Sequence, residues 1–297
     1  MKTALFYGSL AAIGVACVSI AAATLDSAYR AEIDQWRQQR EAALRADGGW
    51  LTVTGLFWLK EGANSLGSGP ENDILLPESA PASLGTVKVE KGSAVFTAAA
   101  PSSVTLNGKP VQEAAFHYAG PADVLSTGPL DLLLLKRGDR LAVRLKDKNS
   151  ALRKNFTHLS WYPVSEDWNI TGKFVALPAP AKLVLDSIIG EQEIMQTPGY
   201  VEFQHGGQTY KLQAVAEGRR LFFVIRDLTS GRKTYAAARF LYSDPPKEDG
   251  TVLLDFNKAQ NPPCAFTPYA TCPLPPPQNR LSLAIEAGEQ KYEGSVH

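Results

Sequence analysis

The sequence has few of the residues on which familiar catalytic and metal sites depend. Its 297 residues include only four histidines, which are far apart: His117, His158, His205 and His297. The motifs HExxH, GxSxG, GxGxxG and the P-loop do not occur in it. Metalloprotease, α/β-hydrolase, nucleotide-binding and dinucleotide-binding functions therefore have no motif support, and neither a metal nor a cofactor is predicted.

The chain also has no excess of charge of either sign. Its 30 lysine and arginine residues are balanced by 30 aspartate and glutamate residues. A net charge of zero gives no general attraction to nucleic acid or to an anionic membrane surface. Nucleic acid is therefore not an expected partner, and contact with a membrane is expected only through the N-terminal segment.

Residues 1–23 have the pattern of a secretory signal peptide or membrane anchor. Lys2 precedes an uncharged, largely apolar stretch that ends in small residues around Ala23. Three outcomes fit this pattern: cleavage after Ala23, lipid attachment at Cys17, or a retained helix that spans a bilayer. Each outcome places the rest of the chain outside the cytoplasm, in the periplasm or secreted.

Cysteine is scarce, and only Cys264 and Cys272 lie beyond the N-terminal segment. An oxidising compartment favours a disulfide between them, which would stabilise the fold by roughly 2–3 kcal/mol through the short loop that it closes. Free thiols and a metal site are the alternatives. Zinc requires four nitrogen, sulfur or oxygen ligands, and no histidine lies near these cysteines in the sequence, so the disulfide is the favoured alternative.

The hydrophobic pattern predicts a mostly β protein, with an N-terminal helix followed by two antiparallel β-sandwich or barrel units. Apolar residues at helical spacing predict the helix in residues 24–48. Short alternating runs separated by turn residues predict a β-sandwich in residues 49–150 and a second β domain in residues 181–297. Residues 151–180 are expected to connect the two units.

The segment NPPCAFTPYATCPLPPPQNR, residues 261–280, contains seven prolines, and we call it the proline loop. Proline fixes its own backbone and lacks an amide donor, so this segment is unsuited to a helix or a central strand and is predicted to be a rigid, irregular loop. Loops of this length inside a compact domain usually have a function. We expect the proline loop to form one wall of a polar site.

Polar residues are concentrated around the proline loop. Strand alternation turns Arg239 away from its apolar neighbours, and an inward-facing arginine requires a carboxylate, for which Asp255 is the expected partner. The candidates for catalytic acids and bases are Asp255, Glu286 and Glu289. This set can form either a buried ion-pair network or the lining of a pocket. The candidate binding residues here are Arg239, Asn257, Asn261, Asn279 and Arg280.

A second cluster of charge occurs in the stretch KRGDRLAVRLKD. Arg140 and Arg144 fall on one face of a strand by the two-residue period and form what we call the basic stripe. Such a stripe is typical of a solvated hairpin. The alternative is one wall of an anion-binding cleft that faces the second domain, where guanidinium groups would hold a carboxylate or a phosphate.

Several of these stretches together resemble a known family. GWLTVTGLFWLKEGANSLGS, KRGDRLAVRLKD and LDFNKAQNPPCAFTPYATCPLPPPQNRL are similar to a bacterial and archaeal family known as domain of unknown function 1684. The resemblance extends over residues 29–292. It implies a protein type but no reaction and no catalytic residues.

A weaker resemblance concerns the first β unit alone. The order of strands in residues 64–135 is similar to that of forkhead-associated domains, which are β-sandwiches that bind phosphothreonine peptides. Ser68 stands where that family has an arginine, and only Asn107 matches its functional residues. The resemblance therefore implies the fold and not phosphopeptide binding.

Two functions remain after these exclusions. The first is an extracytoplasmic binding or scaffold module that holds a small polar or anionic ligand, or a segment of a partner, between the proline loop and the basic stripe. The second is a hydrolase in which the acidic candidates act as acid and base while Arg239 or Arg280 stabilises charge. The first is slightly favoured because no nucleophile and base pair is recognisable from spacing. The sequence leaves open whether the protein is an enzyme.

Overall fold

The structure is a computed structural model that describes the backbone of residues 10–99, 104–120 and 122–294, with side chains from residue 27 onward. Its class is the predicted one, mostly β with an N-terminal helix and several antiparallel sheets. In the part of the chain that is described, no helix is both long and apolar enough to cross a membrane. The predicted signal peptide or anchor, residues 1–23, lies outside the residues with described side chains and stays a prediction.

Helix α1 spans Leu10–Arg45. From residue 27 onward it exposes Arg30, Glu32 and Asp34 and buries an apolar stripe that includes Ile33 and Leu44. One-sided burial of this kind follows from apolar residues that recur at helical spacing. A 3₁₀ turn at Trp50–Thr52 then leads into the first strand.

In its described residues, 53–99, 104–120 and 122–147, the first β unit contains eleven strands in two sheets. In chain order they are β1 Val53–Trp58, β2 Gly62–Gly67, β3 Ile74–Leu75, β4 Gly85–Glu90, β5 Ser93–Ala98, β6 Thr105–Leu106, β7 Lys109–Pro110, β8 Glu113–Ala115, β9 Val124–Thr127, β10 Leu130–Arg137 and β11 Arg140–Asp147. One sheet has the order β1-β11-β10-β9-β6-β7, and the other has the order β3-β2-β4-β5-β8. The named pairs are antiparallel except for β2 with β3.

The two sheets of the first unit share one apolar core. Alternate residues of β4 and β5 are buried, so that Val87 and Phe96 point inward while their neighbours reach solvent. They join Leu132 and Leu134 from β10 in the same cluster. This arrangement is a β-sandwich, and it positions the β10–β11 hairpin at one side of the unit.

The second β unit contains seven strands in two antiparallel sheets. They are β12 Asn169–Asp186, β13 Gln192–His205, β14 Gln208–Gln213, β15 Val215–Glu217, β16 Arg220–Ile225, β17 Arg239–Ser243 and β18 Thr251–Asp255. The sheet orders are β14-β13-β12-β18 and β15-β16-β17. Strand β12 continues through residue 180, the predicted end of the connecting segment.

A short helix links the two units, and a separate core cluster packs α1 against the second unit. Helix α2, Ala151–Asn155, begins after Ser150, whose hydroxyl accepts a hydrogen bond from the Arg153 amide (3.2 Å). This core cluster joins Leu44 of α1 with Phe240 of β17 and with the proline loop. The proline loop therefore belongs to the interior of the molecule.

Candidate functional site

The proline loop connects α1 to both β units. Phe266 is fully buried and lies in the same core cluster as Leu44 of α1 and Phe222 of β16. The Thr267 hydroxyl donates a hydrogen bond to the carbonyl oxygen of Val53 in β1 (2.9 Å). Side chains that surround the loop are thus brought close to both units, which is a requirement for a site built between them.

The predicted disulfide is absent from the structure, in which Cys264 and Cys272 are both free thiols. Both are buried, and the Cys264 amide donates a hydrogen bond to the Cys272 sulfur (3.3 Å). The Tyr235 hydroxyl donates to the Cys264 carbonyl oxygen (3.1 Å), and the Ile188 amide donates to that of Cys272 (2.9 Å). Packing and hydrogen bonds therefore hold the loop without a covalent link.

Arg239 in β17 is buried and paired with a carboxylate, as its position between apolar residues predicts. The partner is Asp227 and not the expected Asp255, because Asp227 follows β16, which is the neighbour of β17 in the sheet. Arg239 Nη2 donates to Asp227 Oδ2 (2.5 Å) and to the carbonyl oxygen of Ile285 (3.0 Å), while Nη1 donates to that of Ala287. Arg239 is closed off within the core.

Glu289 is a second buried charge. Arg40 of α1 donates from Nε to Glu289 Oε1 (2.8 Å), and the Asn261 amide donates to Oε2 (2.7 Å). Burial raises the pKa of Glu289, although the charge of Arg40 opposes this shift. Gly288 has a φ of 79°, and a Cβ atom there would collide with the Ala259 carbonyl oxygen, so glycine is required before Glu289. Both carboxylate oxygens are satisfied and sealed from solvent.

Asp255 and Asn257 form a third closed group, which anchors α1. The Tyr29 hydroxyl donates to Asp255 Oδ1 (2.7 Å), and Lys258 Nζ lies 3.2 Å from Asp255 Oδ2. Asn257 donates to the Tyr29 hydroxyl (3.0 Å) and accepts from the Ser165 amide (3.1 Å). Burial, followed by the hydrogen bond to Asp255, raises the pKa of Tyr29. These contacts are structural in character.

The remaining residues predicted around the loop, Asn279, Arg280 and Glu286, do not line the cavity described below. Asn279 is buried and forms hydrogen bonds with both the amide and the carbonyl group of Gln213, which ties the loop to the end of β14. Arg280 and Glu286 are exposed. Glu286 is therefore at the surface, whereas the other two acidic candidates are buried and paired. This arrangement gives acid–base catalysis by these three groups no support.

A cavity of about 330 Å³ lies between the proline loop, the β10–β11 hairpin and the strands β13, β16 and β17. Its larger apolar residues are Trp50, Met195, Phe222, Phe240 and Tyr242. Its charged and amide residues are Arg40, Arg137, Glu193, Glu217, Gln260 and Asn261. Of the predicted binding residues, Asn261 lines this cavity directly.

Arg137 is oriented by its neighbours on both sides. Gly138 has a φ of 52°, which glycine adopts without a steric penalty, so the hairpin reverses directly after Arg137. Arg137 Nε donates to the Thr271 hydroxyl of the proline loop (2.9 Å), and Nη1 donates to the Lys136 carbonyl oxygen (2.9 Å). Among the described residues it has no ion-pair partner. Its charge is therefore held in place but not neutralised.

Arg144 in β11 packs with its guanidinium carbon 4.9 Å from the centre of the Trp50 ring. Its Nε and Nη2 are buried without a hydrogen-bond partner, and no described carboxylate forms an ion pair with it. Burial, followed by the positive charge of Arg137, lowers the pKa of Arg144 to about 10, with Cys272 acting in the opposite direction. Trp50, Arg137 and Cys272 all line the cavity, so Arg144 supplies a second positive charge beside it.

Arg140, the other member of the basic stripe, has a different environment. It is exposed at the start of β11, where it stacks 4.0 Å from the centre of the Trp58 ring. Its Nη1 donates to Glu191 Oε1 (2.9 Å). Arg140 is thus paired at the surface and does not line the cavity, whereas Arg144 on the same strand face is covered.

No sequence pattern marks Arg40 or Trp50 as part of a site. A charged residue on α1 is expected to face solvent, and Trp50 stands in an apolar run that packing explains equally well. The one available signal concerns Arg137, which precedes a predicted glycine turn in the basic hairpin. These residues are identified by the cavity that they line together.

The comparisons with known proteins support the family resemblance. Residues 154–290 match the model of the family described as Protein of unknown function (DUF1684). The match covers the second β unit, the proline loop and the cavity residues Glu193 and Glu217, while the first β unit lies outside it. A comparison with curated proteins finds no match.

Solved structures resemble parts of the chain. An uncharacterized protein of Haloarcula marismortui shares 29% identity over 46% of this chain and 78% of its own, with a TM-score of 0.40. The FhaA FHA domain, solved with an intracellular domain as its partner, shares 20% identity over 31% of this chain and 97% of its own, with a TM-score of 0.22. Another structure, from work on phosphothreonine-dependent FHA domain interactions, shares 20% identity over 31% of this chain and 92% of its own, with a TM-score of 0.22. At such TM-scores these likenesses carry no argument.

Proposed function

We propose that the protein is a binding module for a small anion, a carboxylate or a phosphate, held in the cavity beside the proline loop. The observation that carries this proposal is Arg144, whose Nε and Nη2 are buried without a partner next to that cavity. A buried charge without a partner is costly to the folded state. A bound anion would supply the missing partner, and its affinity would come from removing that cost.

Arg137 supports the same function. Two guanidinium groups near one another repel, and this repulsion is one reason for the lowered pKa of Arg144. An anion between them would replace the repulsion by two attractions. Because hydrogen bonds to Thr271 and Lys136 already orient Arg137, little side-chain freedom is lost when the anion binds. The planar guanidinium also matches carboxylate and phosphate oxygens in pairs.

The proposal is tested by calorimetric titration of the purified protein with acetate, succinate and inorganic phosphate. We expect at least one of them to bind, and Arg144→Met to weaken that binding at least about tenfold, which corresponds to about 1.4 kcal/mol. Arg137→Met should have a similar effect. Arg140→Met is the matched control, since it removes the same charge from the same hairpin at a paired, exposed position, and it should change affinity less than about twofold.

Two results would refute the anion site. One is equal binding to the wild type and to Arg144→Met. The other is an equal loss in Arg140→Met, which would mean that overall charge and not the cavity attracts the anion. Far-ultraviolet circular dichroism of each variant establishes that it is folded before its affinity is interpreted.

We also propose that residues 1–23 direct the protein out of the cytoplasm. The support is the uncharged apolar stretch after Lys2, with small residues before Thr24. Cell fractionation with intact-mass measurement distinguishes the outcomes: a chain that begins at Thr24, a lipid-modified Cys17, or an unprocessed chain in the membrane. Full-length protein in the cytoplasmic fraction would contradict export.

A further inference from the structure

The cavity contains unneutralised charges of both signs. Arg137 and the adjacent Arg144 are positive, while Glu193 and Glu217 contribute negative charge to the wall. Within the described part of the chain, none of these four side chains has an ion-pair partner. A simple anion would neutralise the arginines but would be repelled by the glutamates. The two carboxylates therefore call for a cationic group on the same ligand.

Glu217 lies at the aromatic part of the wall. It ends β15, and its charge is the largest influence after burial that raises the pKa of Tyr242. Phe222 stacks on Tyr242 with ring centres 4.9 Å apart and meets Phe240 edge to face at the same separation. Arg220 faces Glu217 across the ladder and lies over Tyr242 (4.7 Å), although no ion pair within the described residues joins it to Glu217. A carboxylate beside aromatic rings favours an ammonium group.

Glu193 is the second carboxylate of the wall. It is half-buried on β13, and it points to the same side of the strand as Met195, which also lines the cavity. Glu193 and Arg137 also line an adjoining cavity of about 270 Å³, together with Lys136 and Glu191. The polar surface therefore continues beyond the main cavity, with both signs of charge represented in each part.

We infer that the ligand is a zwitterion of the amino-acid class, an inference that rests on the proposed anion site. Its carboxylate would bind Arg137 and Arg144, and its ammonium group would bind Glu217 and Glu193. The cavity of about 330 Å³ is at the lower end of the range of small-molecule sites, roughly 300–1,000 Å³, which suits a ligand of this size. The aromatic wall favours an apolar or aromatic side chain on that ligand.

The inference is tested with matched ligands that differ in one charged group. Phenylalanine, 3-phenylpropionate and 2-phenylethylamine share the same ring and carry both charges, only the negative charge, or only the positive charge. Alanine, propionate and ethylamine form a smaller series of the same design. In calorimetric titrations of the full-length wild type we expect the amino acid of at least one series to bind ten or more times more tightly than its acid and its amine.

Variants of the charged cavity residues test where the carboxylate and the ammonium group of the ligand bind. Glu217→Gln or Glu193→Gln should lower the affinity for the amino acid to that for the matching acid, while the affinity for the acid stays the same or rises. Arg144→Met should lower the affinity for both. Glu191→Gln is the control for the loss of a carboxylate, because Glu191 pairs with Arg140 outside the main cavity, and it should leave the preference for the amino acid unchanged.

The outcomes separate this inference from the function on which it rests. If the acids bind as tightly as the amino acids or more tightly, and Arg144→Met still weakens them, the zwitterion is wrong and the anion site stands. If the preference for the amino acid survives in both glutamate variants, the placement of the ammonium group is wrong. If neither acids nor amino acids bind, or if only the amines bind, the anion site fails together with the inference.

Discussion

Four arginines close to the proline loop divide into two pairs with opposite environments. Arg239 and Arg40 each form an ion pair with a buried carboxylate, and backbone carbonyl oxygens accept further hydrogen bonds from them. Arg137 and Arg144 also lie at the loop, but no described carboxylate pairs with either. The first pair consists of Arg239 of the second unit and Arg40 of α1, and the second pair comes from the β10–β11 hairpin of the first unit, with Arg137 lining the cavity and Arg144 beside it.

The difference shows that burial alone does not distinguish a structural arginine from a binding one. A buried charge that is paired and hydrogen-bonded has all the partners it needs within the fold. Removing its partner is expected to lower the stability of the protein without a direct effect on ligand binding. A charged side chain that is held in place and buried without an ion-pair partner lowers the stability of the folded state unless a ligand of opposite charge binds to it. The two pairs therefore predict opposite responses to the same substitution.

The largest effect is expected from breaking the paired set at Arg239. Arg239→Met leaves Asp227 buried without its cation and should lower the free energy of unfolding by about 3–5 kcal/mol, measured by urea denaturation. The double variant Arg239→Met, Asp227→Asn should recover part of that loss because no charge then remains buried. A loss below about 1 kcal/mol in the single variant would show that the pair is not structural.

A smaller loss is expected at Glu289, where it should depend on pH. Glu289→Gln weakens the hydrogen bond from Arg40 and should cost about 1–3 kcal/mol near neutral pH. Burial raises the pKa of Glu289 above its ordinary value of 4.5, so the folded state binds the proton more readily than the unfolded state. The stability due to this shift is complete below pH 4.5 and is lost as pH rises through the folded-state pKa.

The measurement at Glu289 is the difference in unfolding free energy between wild type and Glu289→Gln as a function of pH. This difference should grow as the pH falls from neutral to acid, because the titrations of all other groups cancel in it. A difference that is constant, or that grows with rising pH, would contradict the sign derived from burial.

The unpaired set predicts a change in the opposite direction. Without added ligand, Arg144→Met should leave the melting temperature unchanged or raise it, by an amount that corresponds to about 1 kcal/mol, because an unpaired buried charge is replaced by an apolar chain. Thermal unfolding monitored by circular dichroism measures this effect. A clear fall in melting temperature would show that Arg144 stabilises the fold, as Arg239 and Arg40 do, and the proposed difference between the two pairs would be wrong.

The smallest effect is expected at Arg140. This exposed arginine is the surface reference against which the buried arginines are compared. Arg140 stacks on Trp58 and pairs with Glu191, but it is exposed. Arg140→Met should therefore change the free energy of unfolding by less than about 0.5 kcal/mol. Urea denaturation in parallel with the other variants tests this. A loss as large as that at Arg239 would mean that exposure is a poor guide to the role of these arginines.

Local patterns correctly indicated several features of the fold. Alternation in β4 and β5 predicts which side chains of the first sandwich are buried, and helical spacing predicts that α1 buries one stripe. The same two-residue period shows that Arg239 faces inward. Each of these inferences depends on residues that are neighbours in the chain, and for that reason a single sequence contains enough information.

Other inferences required contacts that the chain does not reveal locally. The two-residue period places Arg140 and Arg144 on one strand face, but only Arg144 is covered, because Trp50 packs over it from the turn after α1. Composition and the predicted oxidising compartment favour a disulfide between Cys264 and Cys272, whereas in the structure hydrogen bonds hold the loop and both thiols are free. Strand period and cysteine count do not specify what packs against a side chain.

By itself, the sequence determined that this protein is mostly β, that a helix precedes its strands, and that the proline-rich stretch is neither α-helix nor strand; its only helical parts in the described chain are the 3₁₀ turns Pro263–Ala265 and Pro277–Asn279. These properties follow from backbone preferences and from short-range spacing of apolar residues. Only the tertiary structure decided which charges are neutralised, since the partners are remote in the chain: Arg40 and Glu289 are 249 residues apart, and Arg137 and Thr271 are 134 apart. Pairing depends on distances of a few ångströms between such remote groups, and it is this pairing that separates the core of the molecule from its candidate site.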